Sequence, residues 1–242
     1  MLMRKPVFWI FASFLFVAGL YYSAKVFPKA FAILNVELKM DRESAFSKAK
    51  SLSNTNNWGP ADYNQAATFY HDSQTQNFVE LDAGGSDKVV MLMKNHLYHF
   101  YTWKVRHYKE LEPNETIITF TPSGKFYGFK EILSETQKRV SLSQDNARII
   151  AENFIQMNTS IDLSNYKEIE ASEEVFPSER IDHTFVYERL NTTIGSGSFR
   201  LKTMVSGNKV SEIKHYIKIP ETFTRSFEEM RSANNTIAST AS

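Results

Sequence analysis

The sequence predicts an α+β protein: an N-terminal transmembrane helix followed by two units, each a helix laid across an antiparallel sheet. Three observations carry this. Residues 7–27 are apolar and carry no charge before Lys25. The rest of the chain alternates helical and strand periodicity twice, in the same order. Short turns built on Gly, Ser and Asn separate the strand runs, which is the punctuation of hairpins rather than of parallel crossovers. The chain divides accordingly into an anchor (1–28), a linker (29–39), a first unit (40–140), a second unit (141–219) and a C-terminal helix with linker (220–242).

The anchor comes first. At about 1.5 Å per residue, residues 7–24 span about 27 Å, close to the ~30 Å hydrocarbon core of a bilayer. Trp9 stands near one end and Tyr21 and Tyr22 near the other, where amphipathic rings favour the interface. The apolar run is longer than the roughly 7–15 residues of a signal-peptide core. Cleavage after Ala24 stays open as the alternative. Arg4 and Lys5 precede the span, and Lys25 and Lys29 follow it closely, so the charge bias is small. With the free amine it favours a cytoplasmic N-terminus and an extracytoplasmic remainder. Asn114, Asn158, Asn191 and Asn234 each open an Asn-x-Ser/Thr triplet, which matters only in a eukaryotic secretory route.

The two units then read in parallel. Residues 41–53 form a helix with Asp41 as N-cap and Ala45, Phe46, Ala49 and Leu52 as its apolar stripe. Residues 144–157 repeat the device, with Ser143 as N-cap and Ala147, Ile150, Ala151 and Phe154 as the stripe. Alanines four apart on both helices predict close approach to a sheet. Aromatic alternating runs at 99–107 and 183–189 read as strands. Hairpins follow at 115–121 with 125–133, and at 198–205 with 209–219. The first unit carries an insertion, 74–97, whose part 88–97 reads as a short helix. Residues 220–238 form a last helix with Phe223, Phe227 and Met230 on one face. The small polar residues from Asn234 onward suit a linker.

Composition narrows the function classes. With 28 Lys+Arg against 27 Asp+Glu, the chain is not a strongly basic nucleic-acid binder. The absence of cysteine excludes disulfide scaffolds, Cys-ligated metals and thiol catalysis. The six histidines form no His-Glu-x-x-His motif, and His96 and His99 straddle a helix–strand junction. Glu173 with Glu174, Glu228 with Glu229, and Glu131 with Glu135 are carboxyl pairs. Neighbours on a strand point to opposite faces and neighbours on a helix diverge by about 100°, so the adjacent pairs do not converge. The Ser123-Gly124 and Gly195-Ser196-Gly197 stretches lack the glycines of phosphate or dinucleotide loops and read as turns. No catalytic, cofactor-binding or metal-ligating residue is assigned.

One surface stands out. If Tyr101, Trp103 and Val105 face the core, Thr102, Lys104 and Arg106 face outward; if Phe199 and Leu201 face in, Arg200 and Lys202 face out, beside Lys214 and Lys218. Lys104, Arg106, Arg200 and Lys202 thus define a candidate binding face for an acidic peptide, a lipid headgroup or a partner domain. Glu188 partly neutralises it, and a merely solvated charged surface is the competing account.

Several stretches together resemble one family. They include Asp41-Arg42-Glu43-Ser44-Ala45, Asn57-Trp58-Gly59-Pro60-Ala61, Gln76-Asn77-Phe78-Val79-Glu80-Leu81, Tyr101 to Arg106 and Phe120 to Lys125 with Tyr127-Gly128-Phe129. Asp182 to Arg189 and Glu228 to Ala238 are the most specific. The chain resembles the N-terminal extracytoplasmic region of long bacterial CPBP-family peptidases (CAAX proteases and bacteriocin-processing enzymes), and its repeated unit is similar in pattern to PepSY modules. The resemblance implies a single-pass protein of the bacterial cytoplasmic membrane, held in the bilayer through residues 7–27, with a membrane peptidase domain as partner. It implies no activity here. In that family a Glu-Glu-x-x-x-Arg motif carries the chemistry, and Ser178 and Ala233 stand where the arginine belongs. The resulting expectation is a non-catalytic substrate-recognition or regulatory module. A self-contained anchored hydrolase and an independent extracytoplasmic peptide- or glycan-binding protein are the alternatives.

Overall fold

The first helix, α1 (Pro6–Ala30), is long and apolar enough to cross a membrane over Pro6–Phe27, and none of that span is buried. The computed structural model describes residues 6–30, 33 and 36–240. The basic pair Arg4 and Lys5, part of the expected linker and the last two residues lie outside the described residues.

Two helices cover one face of a single sheet. In α2 (Arg42–Asn56), the Asp41 carboxylate accepts the Ser44 amide at 2.8 Å, and Asn57 closes the helix in the left-handed region at φ 53°. In α5 (Gln144–Asn158), Ser143 occupies the N-cap with extended backbone but makes no side-chain cap bond. Ala45, Ala49, Ala147 and Ala151 are all fully buried. A methyl group at each contact lets the helix backbone ride close on the strands, as the spacing predicted.

The sheet has eight strands in the order β1-β2-β3-β4-β8-β7-β6-β5, each neighbour antiparallel. They are β1 (Asn64–His71), β2 (Tyr101–Tyr108), β3 (Glu115–Phe120), β4 (Phe126–Ile132), β5 (Tyr166–Val175), β6 (Ile181–Ile194), β7 (Gly197–Ser206) and β8 (Lys209–Lys218). Each half of the chain supplies four consecutive strands, and the halves join where β4 meets β8. Pairing at that seam is limited to Phe129 with Ile213 and Lys130 with Glu212.

Both outermost strands, β1 and β5, were absent from the expected element list. As edges they carry polar and charged residues that blunt strand addition, and this weakens the apolar alternation by which strands are read. The insertion after β1 holds two helices, α3 (Ser73–Asp82) and α4 (Gly85–Lys94), rather than one. It spans the seam. Phe78, Leu92 and Phe100 share a buried cluster with Ile194, Phe199 and Ile217 of the other half, and Ser196 at the β6–β7 turn donates to Asp82 at 2.7 Å. The last helix, α6 (Glu221–Thr240), continues past Asn234, where a linker was expected. The propensity cost of Ser, Thr and Asn, a few tenths of a kcal/mol each, is too small to stop a helix already nucleated.

The second core lies between the helices α2 and α5 and the sheet. Val105, Ile118, Phe120 and Phe129 meet Phe185, Leu201 and Ile213 there, with Trp58 stacked on Phe129 at 4.0 Å. The opposite sheet face bears neither helix.

Candidate functional site: a groove across the seam

Register builds the site. On the open face, Lys104 pairs with Thr119, and Thr119 with Gly128. Gly128 lies against Lys214 of β8, which in turn pairs with Lys202 of β7. Two small residues on the central strands therefore make a floor between two lysines, whose backbones stand three strand spacings, about 14 Å, apart. The resulting groove has a volume of about 630 Å³ and runs along β8 from Glu212 to Ile219. Its far wall holds Thr102, Lys104 and Ile117, and its upper end is closed by Tyr70, Asp72 and Tyr98.

Gly128 is demanded by the seam. A Cβ at that position would stand 2.4 Å from the Ile213 carbonyl oxygen, so only glycine lets β4 come this close to β8.

The four face residues read from the sequence all lie on this side, but they differ in what they meet. Arg106 pairs with Glu115, Arg200 with Glu188 at 3.1 Å and Lys202 with the buried Glu212 at 3.0 Å. Each is matched by a carboxylate on a neighbouring strand. Lys104 instead rests its ammonium 3.2 Å from the centroid of the Tyr70 ring. Lys130, Lys214 and Lys218, which line the same groove, have no ion pair among the described residues. Burial lowers the Lys104 pKa; Asp72 raises it and Lys214 lowers it further. The Lys104 and Lys214 charges thus feel each other across the floor.

A second cleft of about 480 Å³ opens on the other side of the sheet. His99, Tyr127 and His215 line both, so the two clefts meet at this trio. Tyr127 is the extra residue of a bulge between the Thr119–Gly128 and Phe120–Phe126 pairs. Its ring stacks on His215 at 4.5 Å and meets His99 edge-on at 5.2 Å, and its hydroxyl accepts the His99 amide at 3.4 Å. His96, across the helix–strand junction from His99, approaches it to 5.7 Å between ring centroids. Burial, with His96 and Lys125 adding to it, lowers the His99 pKa to about 4. Burial and His99 lower that of His215 to about 4 as well. Both rings are neutral near pH 7, and burial raises the Tyr127 pKa. The trio is an uncharged aromatic plug.

No group of three His, Cys, Asp or Glu fit to hold a metal occurs among the described residues. The carboxyl pairs do not converge. Glu173 and Glu174 alternate along the exposed edge strand β5, Glu228 and Glu229 lie on exposed turns of α6, and Glu131 is buried against Arg139 at 2.8 Å while Glu135 is exposed. Sequence reading missed Tyr70, Asp72, Tyr98, Thr119 and Gly128. Gly128 alone carried a signal, a glycine inside a strand pattern. No family model matches the chain, and neither a curated protein nor a solved structure shows significant similarity to it.

Proposed function

We propose that the chain is a membrane-tethered, extracytoplasmic recognition module that holds a ligand in the open-face groove and performs no chemistry on it. The observation that carries this is the groove's lining: lysines, hydroxyls, aromatic rings and aliphatic side chains, with its two carboxylates, Asp72 and Glu212, held by Tyr98 and Lys202. The Tyr98 hydroxyl donates to Asp72 at 2.7 Å, but burial, reinforced by Tyr127 and Asp72, raises its pKa well above the usual tyrosine value, which keeps the hydroxyl protonated and a poor nucleophile. Of the two neutral histidines beside it, His215 stacks on Tyr127 and His99 meets that ring edge-on. The resemblance to the extracytoplasmic region of CPBP-type peptidases supplies a setting: the module, with its PepSY-like repeat, presents or withholds substrate for an intramembrane peptidase, and α1 keeps it at the bilayer.

The test is retention without conversion. The full chain, reconstituted in phosphatidylcholine nanodiscs, is incubated with a complex peptide digest, washed and eluted. A reproducible subset of peptides eluting at unchanged mass is expected, and Thr119→Trp, which fills the floor, should remove that retention. Shortened peptides in the eluate would establish a hydrolase instead, and equal retention by Thr119→Trp would move the site elsewhere.

A further inference from the structure

The groove presents four lysines, Lys104, Lys130, Lys214 and Lys218, that have no ion-pair partner among the described residues; Lys104 and Lys214 lie over the Tyr70 and Tyr216 rings instead. Lys202, Arg106 and Arg200, on the same face, each have a cross-strand carboxylate. Around the groove the balance differs: Lys104, Lys130, Lys214 and Lys218 stand against Asp72 and Glu212, and both carboxylates are already engaged, one by Tyr98 and the α3 N-terminus, the other by Lys202. Holding Lys104 and Lys214 over one floor costs Coulomb energy that an anion between them would remove. Burial of Lys104 raises that cost, because water screens it less.

Spacing identifies the kind of anion. Lys214 and Lys218 lie four residues apart on one face of β8, about 13 Å along the strand. Residues four apart in any extended peptide repeat the same distance. The groove follows β8 through eight consecutive residues, Glu212 to Ile219, which suits a strand-like guest better than a compact headgroup. Apolar and aromatic walls at Ile117, Tyr70 and Tyr216 offer contact to the side chains between the acidic ones.

We propose that the groove recognises an acidic polypeptide segment in extended conformation, one carboxylate seated between Lys104 and Lys214 above Thr119 and Gly128, and a second, four residues along, at Lys218. This deepens the recognition-module reading and rests on it.

The experiment measures fluorescence anisotropy of labelled nonapeptides with the full chain in phosphatidylcholine nanodiscs. One peptide carries two Glu four apart in a Ser/Thr-rich frame; the second carries Gln in their place. The Glu peptide is expected to bind at least about tenfold more tightly, to weaken as NaCl rises through the range where the Debye length falls below about 10 Å, and to lose at least about tenfold with Lys104→Glu/Lys214→Glu. Thr119→Glu places a carboxylate between the two lysines from within the chain. It should block the Glu peptide and raise the thermal midpoint, a readout that a merely misfolded variant cannot give. Equal binding of the Gln peptide, together with its loss in Thr119→Trp, would overturn the acidic assignment while leaving the recognition module standing. Binding of neither peptide, with no retention from the digest, would overturn both. Inorganic phosphate or phosphatidylglycerol vesicles displacing the Glu peptide at similar concentration would overturn the proposal in favour of a phosphate or lipid-surface site.

Discussion

His107 shows how one side chain couples burial to pH. Its ring stacks on Tyr63 at 3.9 Å between centroids and has hydrogen-bond partners at both nitrogens. Gln65 Nε2 also donates to the Phe46 carbonyl, which orients its amide so that it donates to His107 Nε2. Nδ1 then carries the proton, donated to Ser53 Oγ at 2.9 Å. A second proton on Nε2 would set two donors face to face, and burial lowers the pKa to about 4. The unfolded chain takes up that proton near 6.5, so between 6.5 and 4 it binds more protons than the folded one. The stability from keeping this ring neutral is complete above about 6.5 and drains away as pH falls toward 4. His99 and His215 act in the same direction. Thermal midpoints should therefore drop steadily from pH 7 to about 4.5, and His107→Gln, which keeps a polar group there without a titrating proton, should flatten the slope. An unchanged slope would contradict a buried neutral imidazole. None of this was legible beforehand, because a histidine on an alternating strand looks the same in either protonation state.

At the scale of elements, the seam governs the sheet. Each half pairs its own strands over six residues or more, whereas β4 and β8 share two residue pairs. The halves are held together by additional devices: the α3–α4 insertion, and the buried Arg180, which binds Asp182 at 2.8 Å and the Ser134 and Gln137 carbonyls of the connecting segment at 2.8 and 2.9 Å. Gly128→Ala should separate β4 from β8 without unfolding either half. We expect hydrogen exchange to rise first at Phe129 and Ile213 and the groove to lose its ligand, while Leu201 and Val105, inside their own ladders, keep their protection. Uniform loss of protection across both halves would show that the seam is not a separable unit. The two alanine-striped helices and both hairpins were readable from the chain, because burial against a sheet imposes period and residue size locally. The edge strands were not, since a strand with one paired side and charged positions has little apolar alternation to display.

For the molecule as a whole, the balance of solvent preference decides its place. α1 exposes Phe11, Phe14, Phe16 and Val17, each more than half accessible among the described residues. A bilayer would cover them. Paired substitution of Phe14 and Val17 by Lys should send the full chain from the vesicle fraction into the supernatant, since each charge at a helix centre costs about 2.5–3.5 kcal/mol to insert. N-terminal sequencing of the membrane-bound wild type should read from Met1; a start after Ala24 would make the helix a signal sequence.

What the sequence determined alone was everything set by neighbours in the chain: the apolar length of α1, the small-residue faces of α2 and α5, the turns, and which side of β2 and β7 points to solvent. Tertiary structure decided the rest. Lys104 and Lys214 lie 110 positions apart, and only the antiparallel meeting of β4 with β8, permitted by the missing side chain at Gly128, lays them over one floor. Charge type is written in each residue, but convergence of charge depends on strand order and register, which arise when distant segments pack into shared buried clusters.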